Sequence, residues 1–263
     1  MATDMAALVA DLADESADLD RMLASLNDGQ WRLATPAAGW TIADQVSHLA
    51  YFDDAALTAA TDPDRFRDEL AELAADGVDI PDRIAARYRD VSGPDLLAWL
   101  RLSRATLLDA FGSMEPGTRL PWYGPDMSAA SSVTARIMET WAHGQDVADA
   151  LERVRPATNR LRHIAHLGVR TVGFSFAING RDVPADPIRV ELTGPDGDAW
   201  SWGPADAANV VRGPVLDFCL VVTQRRHRDD TALVATGPVA VEWITIAQVF
   251  AGPPGSGRAP IAG

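Results

Sequence analysis

Cysteine is almost missing from this chain of 263 residues: it has one, Cys219. A single thiol excludes an internal disulfide, so the covalent chemistry calls for no oxidising compartment and the cytoplasm is the expected location. Cys219 lies in the apolar run "VLDFCLVVTQ", which predicts a buried, inert thiol, because a reactive thiolate needs exposure and nearby positive charge. Positive charge is also short. Lys and Arg number 23 against 37 Asp and Glu, a formal net charge of -14, and such a surface repels phosphate backbones and anionic lipid. Nucleic acid and membrane surfaces are therefore excluded as expected partners. The one basic cluster, "TQRRHRDD", runs straight into two aspartates and reads as a solvated helix end. No long apolar run opens the chain: "MATDMAALVADLADESADLDRML" has acids throughout and no basic leader, so neither a signal peptide nor a membrane anchor is expected. Internal repeats and complete dinucleotide or phosphate fingerprints are missing as well, since the close glycines of "AGPPGSGRAPIAG" lack the strand and the Lys-Ser/Thr context of a phosphate loop.

What remains is an ordinary folded composition, 47% hydrophobic and 23% charged, on a chain long enough for two cores. Apolar residues at three- and four-residue spacing predict a first helix in "MAALVADLADESADLDRMLASL", stopped near "NDGQ". Thr41, with Asp44 three residues on, predicts the cap of a second helix, "IADQVSHLAYFDDAALTAA". Asp-Pro, Asp-Gly and Ile-Pro break the next stretch into shorter helices. Ser92 then caps a helix that stops at Gly112, and after a Pro/Gly-rich loop Ser128 starts the helix "SSVTARIMETWAHGQDVADAL". Residues 1–152 thus read as an up-and-down four-helix bundle with short extras. From 153 to 263 the pattern changes to a smaller α+β domain with a flexible tail: a helix in "TNRLRHIAHLGVRTVGFSFAING", a hairpin around the Pro-Asp-Gly of "DPIRVELTGPDGDAWSWG", a helix in "GPVLDFCLVVTQRRH", and "GPVAVEWITIAQVF" as either strand or helix.

The chemistry concentrates on two helices. Glu139 and His143 stand four apart, hence on one face, which is metal-ligand spacing and equally ion-pair spacing. His48 taken alone reads as a surface histidine bonded to Asp44. With Glu139 and His143 it makes a three-ligand set that a bundle core can gather around a cation, leaving one position open. Asp146, one turn past His143, is the expected acceptor of that ring's second proton. His163 and His166 read as ordinary residues of a linking helix.

The stretches "GWTIADQVSHLAYFDDAA" and "ARIMETWAHGQDVADAL" resemble the N-terminal domain of mycothiol-dependent maleylpyruvate isomerase and the wider DinB-like metalloprotein superfamily. The resemblance covers about the first 150 residues; the second part is similar to a sterol-carrier-like module, and its further run-on resembles an actinobacterial branch. The likeness implies a divalent metal, zinc in most members, bound by His48, Glu139 and His143, with mycothiol as thiol cosubstrate and a small-molecule substrate. Trp40 of the "GWT" motif, Trp122 and Tyr123 of the loop "LPWYGPDMS", and Arg225 and Arg226 are the expected substrate-side residues. Metal coordination would favour a thiolate able to add to an activated alkene, giving an isomerase or a thiol transferase. Two other readings stay open: a thiol-independent metal-dependent hydrolase, lyase or cyclase acting on a secondary metabolite, and a non-catalytic module whose metal only staples helices. Either a monomer or a homodimer is compatible with this pattern.

Overall fold

The computed structural model describes residues 4–75, 80–255 and 257–261, and the chain divides after Arg155 into two compact units. In the first unit the caps form as their sequences demand. Asp4 caps α1 (Met5–Leu23), and Asn27 caps the single turn α2 (Asp28–Trp31). Thr41 and Asp44 close a reciprocal capping box on α3 (Ile42–Thr61), the Asp44 carboxylate accepting the Thr41 N–H at 2.8 Å. The charged stretch that follows supplies α4 (Pro63–Ala75) and α5 (Ile80–Arg87), both packed on α3; the expected Asp-Gly break between them lies outside the described residues. Ser92 caps α6 (Gly93–Gly112), and Gly93 is required there because a Cβ would sit 2.3 Å from the Trp31 ring. A two-residue ladder of β1 (Arg119–Leu120) and β2 (Met127–Ser128) ties off the loop before Ser128 caps α7 (Ala129–Ala150).

The four long helices form a ring in the order α1, α7, α3, α6. Two apolar cores fill it. One gathers Leu19, Leu23, Val46, Leu49, Leu100 and Val147; the other gathers Leu8, Leu12, Ala56, Leu107, Phe111 and Ile137. Numbers rise from the second core to the first along α1 and α7, and from the first to the second along α3 and α6. The directions are therefore up, down, down, up, which differs from an alternating meander. Residues 62–92, with α4 and α5, give the chain length enough to cross and start α6 parallel to α3.

Between the two cores lies a charged layer. Asp53 of α3, fully buried, accepts from Arg104 of α6 through Nε at 2.7 Å and Nη2 at 3.1 Å. Arg104 also donates to Thr140 of α7 at 3.0 Å and to Ser16 of α1. Each long helix thus gives at least one polar residue at the level where its apolar stripe breaks, and α7 adds Arg136, 3.8 Å from Asp53.

In the second unit, the segment expected as one helix breaks at Thr171 into α8 (Leu161–Arg170) and α9 (Val172–Ile178). The Pro-Asp-Gly hairpin forms: β3 (Ile188–Thr193) pairs antiparallel with β4 (Ala199–Trp202), and the turn closes through Gly194 N–H to Asp198 C=O at 2.8 Å. Strand β5 (Asn209–Pro214) pairs parallel with β3 and leads directly into α10 (Val215–Val222). Strand β6 (Val234–Thr236) completes the order β4-β3-β5-β6, and the segment left as strand or helix is a helix, α11 (Pro238–Ile246). Val190, Val211, Phe218, Cys219 and Trp243 are buried inside this unit. The described part of the tail has neither helix nor strand. Among the described residues, no helix is long and apolar enough to cross a membrane.

Candidate metal centre

α3 delivers His48 and α7 delivers Glu139 and His143 to one point beside the charged layer. Positions 139 and 143 lie on one helical face, and Nε2 of His143 stands 3.1 Å from Glu139 Oε2. His48 Nε2 approaches the same oxygen at 3.6 Å across the helix pair. One donor atom from each of the three falls within 4.8 Å of the others, and no fourth His, Cys, Asp or Glu among the described residues joins them. Tetrahedral donors held at about 2.0–2.1 Å from zinc stand about 3.3 Å apart, a value that the two Nε2 to Oε2 separations bracket. Two imidazoles and a carboxylate also suit zinc in kind and leave a coordination position open. The donor set fits a divalent cation.

The surroundings prepare each donor. Burial by itself would raise the Glu139 carboxyl, but the hydrogen bonds from His143 and His48, and the charges of His143 and Arg136, hold it well below the usual carboxylate range. It is therefore ionised in the folded protein. His143 Nδ1 lies 2.5 Å from Gln45 Oε1. A carbonyl can only accept, so Nδ1 carries a proton, and Nε2, which faces Glu139 and His48, is the nitrogen left to bind a cation in place of its own proton. The Gln45 amide is oriented in turn, because its Nε2 donates to Thr35 Oγ1 at 2.9 Å, and the Thr35 hydroxyl donates to the Trp40 carbonyl at 2.9 Å.

Gln45 thus takes the position the sequence points to for Asp146. A ring nitrogen has one proton to give, and Gln45, three residues before His48 on α3, reaches it across the helix pair; Asp146 is fully buried farther along α7. The signal was present in "ADQVSH", where an amide shares the stripe of the histidine at i+3.

Aromatic rings wall the cluster. Trp40 lies 5.3 Å from the His48 ring and stacks on His143 at 6.0 Å, with its N–H donated to Asp82 at 2.7 Å. Phe52 packs on the other side of His48 at 4.6 Å. Trp122 stacks on Phe66 at 5.9 Å, and Tyr123 meets Phe52 edge-on at 5.2 Å. These contacts pin the "LPWYGPDMS" loop onto α3 and α4. Burial, with the neighbouring Tyr51, pushes the Tyr123 phenol far above its usual value, so it stays protonated. Arg225 and Arg226 belong to the second unit. There Arg225 donates to the Thr223 carbonyl at 2.7 Å, and Arg226 lines a cavity of about 200 Å³ together with His227, Arg228 and Arg258. Cys219 is buried as expected, and burial raises its thiol well above the usual value.

Fold and donor set define a helical-bundle protein with a His/Glu/His cluster gathered from two of its four long helices. The chain belongs to the mycothiol maleylpyruvate isomerase N-terminal domain family, whose model matches residues 12–148. Residues 184–236 match a second model, wyosine base formation, in the part that the sequence likens to a sterol-carrier module. Two uncharacterized proteins of Mycobacterium tuberculosis, from strains CDC 1551 / Oshkosh and ATCC 25618 / H37Rv, are each 51% identical over 255 residues, covering 97% of this chain and 99% of theirs. Crystal structures of mycothiol-dependent maleylpyruvate isomerase and of a histidine-to-alanine mutant superpose with TM-scores of 0.60 and 0.61 at 14% identity, over 90% of this chain and 96% of theirs. At that identity the likeness speaks for the fold.

Proposed function

We propose that this protein is a metal-dependent enzyme that activates a low-molecular-weight thiol for isomerisation of, or thiol transfer to, a small electrophilic substrate. Mycothiol, the thiol in the names of the family and of the similar solved structures, is the first candidate cosubstrate. The observation that carries the reading is the meeting of His48, Glu139 and His143 within 4.8 Å, with an ionised carboxylate and a tautomer held by Gln45.

A divalent cation held by these three side chains, zinc by the fit of the donors, would supply the Lewis acidity that favours the thiolate form of a bound thiol. The remaining work belongs to the chain. Gln45 keeps the His143 proton on Nδ1 and so keeps Nε2 available. Trp40 packs against both imidazoles and Phe52 against that of His48, and these rings restrict water, which strengthens every charge interaction inside. Tyr123, protonated, serves as a hydrogen-bond donor and never as a base.

The test pairs metal analysis with spectroscopy. Purified protein is expected to hold one divalent ion per chain, and the His48→Ala and Glu139→Ala variants to lose it. The cobalt-substituted protein is expected to develop a thiolate-to-cobalt absorption band when mycothiol or a simpler thiol is added. Stoichiometric metal in both variants would refute the ligand assignment, and a cobalt spectrum unmoved by thiol would refute thiol activation.

A further inference from the structure

The ring that walls both imidazoles is held from a helix that supplies no donor to the cluster. Trp40 is 9% exposed and lies 5.3 Å from the His48 ring and 6.0 Å from the His143 ring, the latter nearly parallel at 19°. An indole N–H can only donate, and a buried donor left unmatched costs more than an ordinary hydrogen bond returns. Among the described residues its acceptor is Asp82 Oδ1 at 2.7 Å, in the first turn of α5. That helix is anchored by Ile84, which is buried in the apolar cluster of Phe52, Ala55, Ala59 and Phe66. Asp82 is therefore presented from an element seated on the same Phe52 that packs against His48.

The backbone at Trp40 has restraints of its own. Thr35 N–H donates to the Trp40 carbonyl at 2.8 Å, Trp40 N–H donates to the Ala37 carbonyl at 3.0 Å, and Arg89 donates to the Gly39 carbonyl at 3.3 Å. These bonds leave the side chain as the remaining freedom. An aromatic ring on a fixed backbone has two orientations about its Cβ–Cγ bond, and turning the indole over carries its N–H away from Asp82. The bond thus selects one of the two.

We propose that Asp82 is a positioning residue for the donor cluster: it fixes the Trp40 indole against His48 and His143, so that α5 sets the wall which a molecule entering the cluster meets. Asp82 stands at the surface and acts through Trp40; the side chains that converge as donors are His48, Glu139 and His143. A ring held in one place orients what enters and keeps water from the charges beside it, whereas a ring free to swing does neither. The ring placement stands on the Asp82 bond, while its consequence for thiol binding rests on the reading of the cluster as a thiol-activating metal centre. A carboxylate in the first turn of a helix has a second use, stabilising that helix through the positive end of its dipole. The two roles separate by chemistry. Asn keeps an acceptor oxygen for the indole and loses the charge; Ala loses both.

The experiment compares full-length wild type, Asp82→Asn, Asp82→Ala and Trp40→Phe, by proton–nitrogen and proton–carbon NMR after chelator treatment and by visible spectroscopy after cobalt loading. In the chelator-treated protein the Trp40 indole N–H, identified by its loss in Trp40→Phe, is expected to resist solvent exchange. Asp82→Ala is expected to speed that exchange roughly 10-fold or more, and to move the imidazole C–H signals of His48 and His143, which lie in the ring current of Trp40. Asp82→Asn is expected to preserve both. In the cobalt-loaded protein Asp82→Ala is expected to bind mycothiol roughly 10-fold more weakly than wild type, with Asp82→Asn close to wild type and metal content equal in all. An indole signal unmoved in Asp82→Ala, or Asp82→Asn indistinguishable from Asp82→Ala, or a loss of helix content in Asp82→Ala would each overturn the proposal; the last two would make Asp82 a structural residue of α5. A wild-type cobalt spectrum that ignores thiol would remove the thiol reading, while NMR changes in Asp82→Ala that Asp82→Asn reverses would still uphold Asp82 as the residue that positions Trp40. A wild type that answers thiol, with Asp82→Ala binding it equally well, would overturn the positioning role and leave the thiol reading standing.

Discussion

Arg104→Met tests whether the layer between the two cores is as dry as its geometry implies. Arg104 is 5% exposed and Asp53 fully buried. Removing the guanidinium leaves the carboxylate with Arg136 at 3.8 Å as its remaining cation. Stripping one partner from a buried ion pair costs about 3–5 kcal/mol. Arg136 offsets part of that, which places the expected loss near the lower end, about 3 kcal/mol. For a chain of this size that is a fall in melting temperature of roughly 6–12 °C, read by far-ultraviolet circular dichroism. Arg65→Met is the control: Arg65 Nε stands at the same 2.7 Å from Glu69 as Arg104 Nε from Asp53, but on an exposed face of α4. Exposed pairs are screened and flexible, so this change is expected to leave the melting temperature unmoved. Repeating Arg104→Met on an Asp53→Asn background should recover about 2 kcal/mol as coupling. Equal shifts for the buried and the exposed pair, or a coupling near zero, would refute the claim that burial rather than distance sets the strength here.

Two further outcomes follow from the same structure. Gln45→Leu removes the acceptor of the His143 Nδ1 proton and frees the tautomer, so metal affinity is expected to fall roughly 10–100-fold in a competition titration while helix content holds; unchanged affinity would show that Gln45 does not orient the ligand. Cys219, with its thiol raised by burial among α8 and α10 residues, is expected to react with a thiol reagent only after unfolding, and fast labelling of the native protein would contradict its placement.

Legibility in the sequence followed the physics of each signal. Helices with local start signals were readable: the Thr41 and Asp44 box, the Ser92 cap and the Ser128 cap all form as their side chains require. The ligand trio was readable because helical geometry stacks 139 over 143 and a second bundle helix carries His48, a set that the family resemblance then matched residue by residue. Gln45 was passed over because its partner is 98 residues away, and the i+3 spacing to His48 puts it on the right stripe without saying which residue of the other helix it meets. Strand β5 was hidden for a different reason. Asn209, Val210 and Val211 are buried one after another between two neighbouring strands, so the alternation that reveals a one-faced strand is missing. The following Gly-Pro then read as the start of a helix, when Pro214 ends the strand as well as preceding α10.

The register of the helices follows from where the polar residues sit. Ser16, Asp53, Arg104 and Thr140 each interrupt an apolar stripe near the middle of their helices and meet at one level. An apolar bundle tolerates register slips of a turn, because one Leu layer packs much like the next. A buried Asp–Arg pair does not, since a slip of one turn would leave a charge in hydrocarbon. The same pair that fixes the register also sets His48 of α3 level with Glu139 and His143 of α7, because Asp53 lies little more than one turn past His48 and Thr140 adjoins Glu139. The layer therefore aligns the donor cluster it does not touch, and a change at Arg104 is expected to loosen the site as well as the fold.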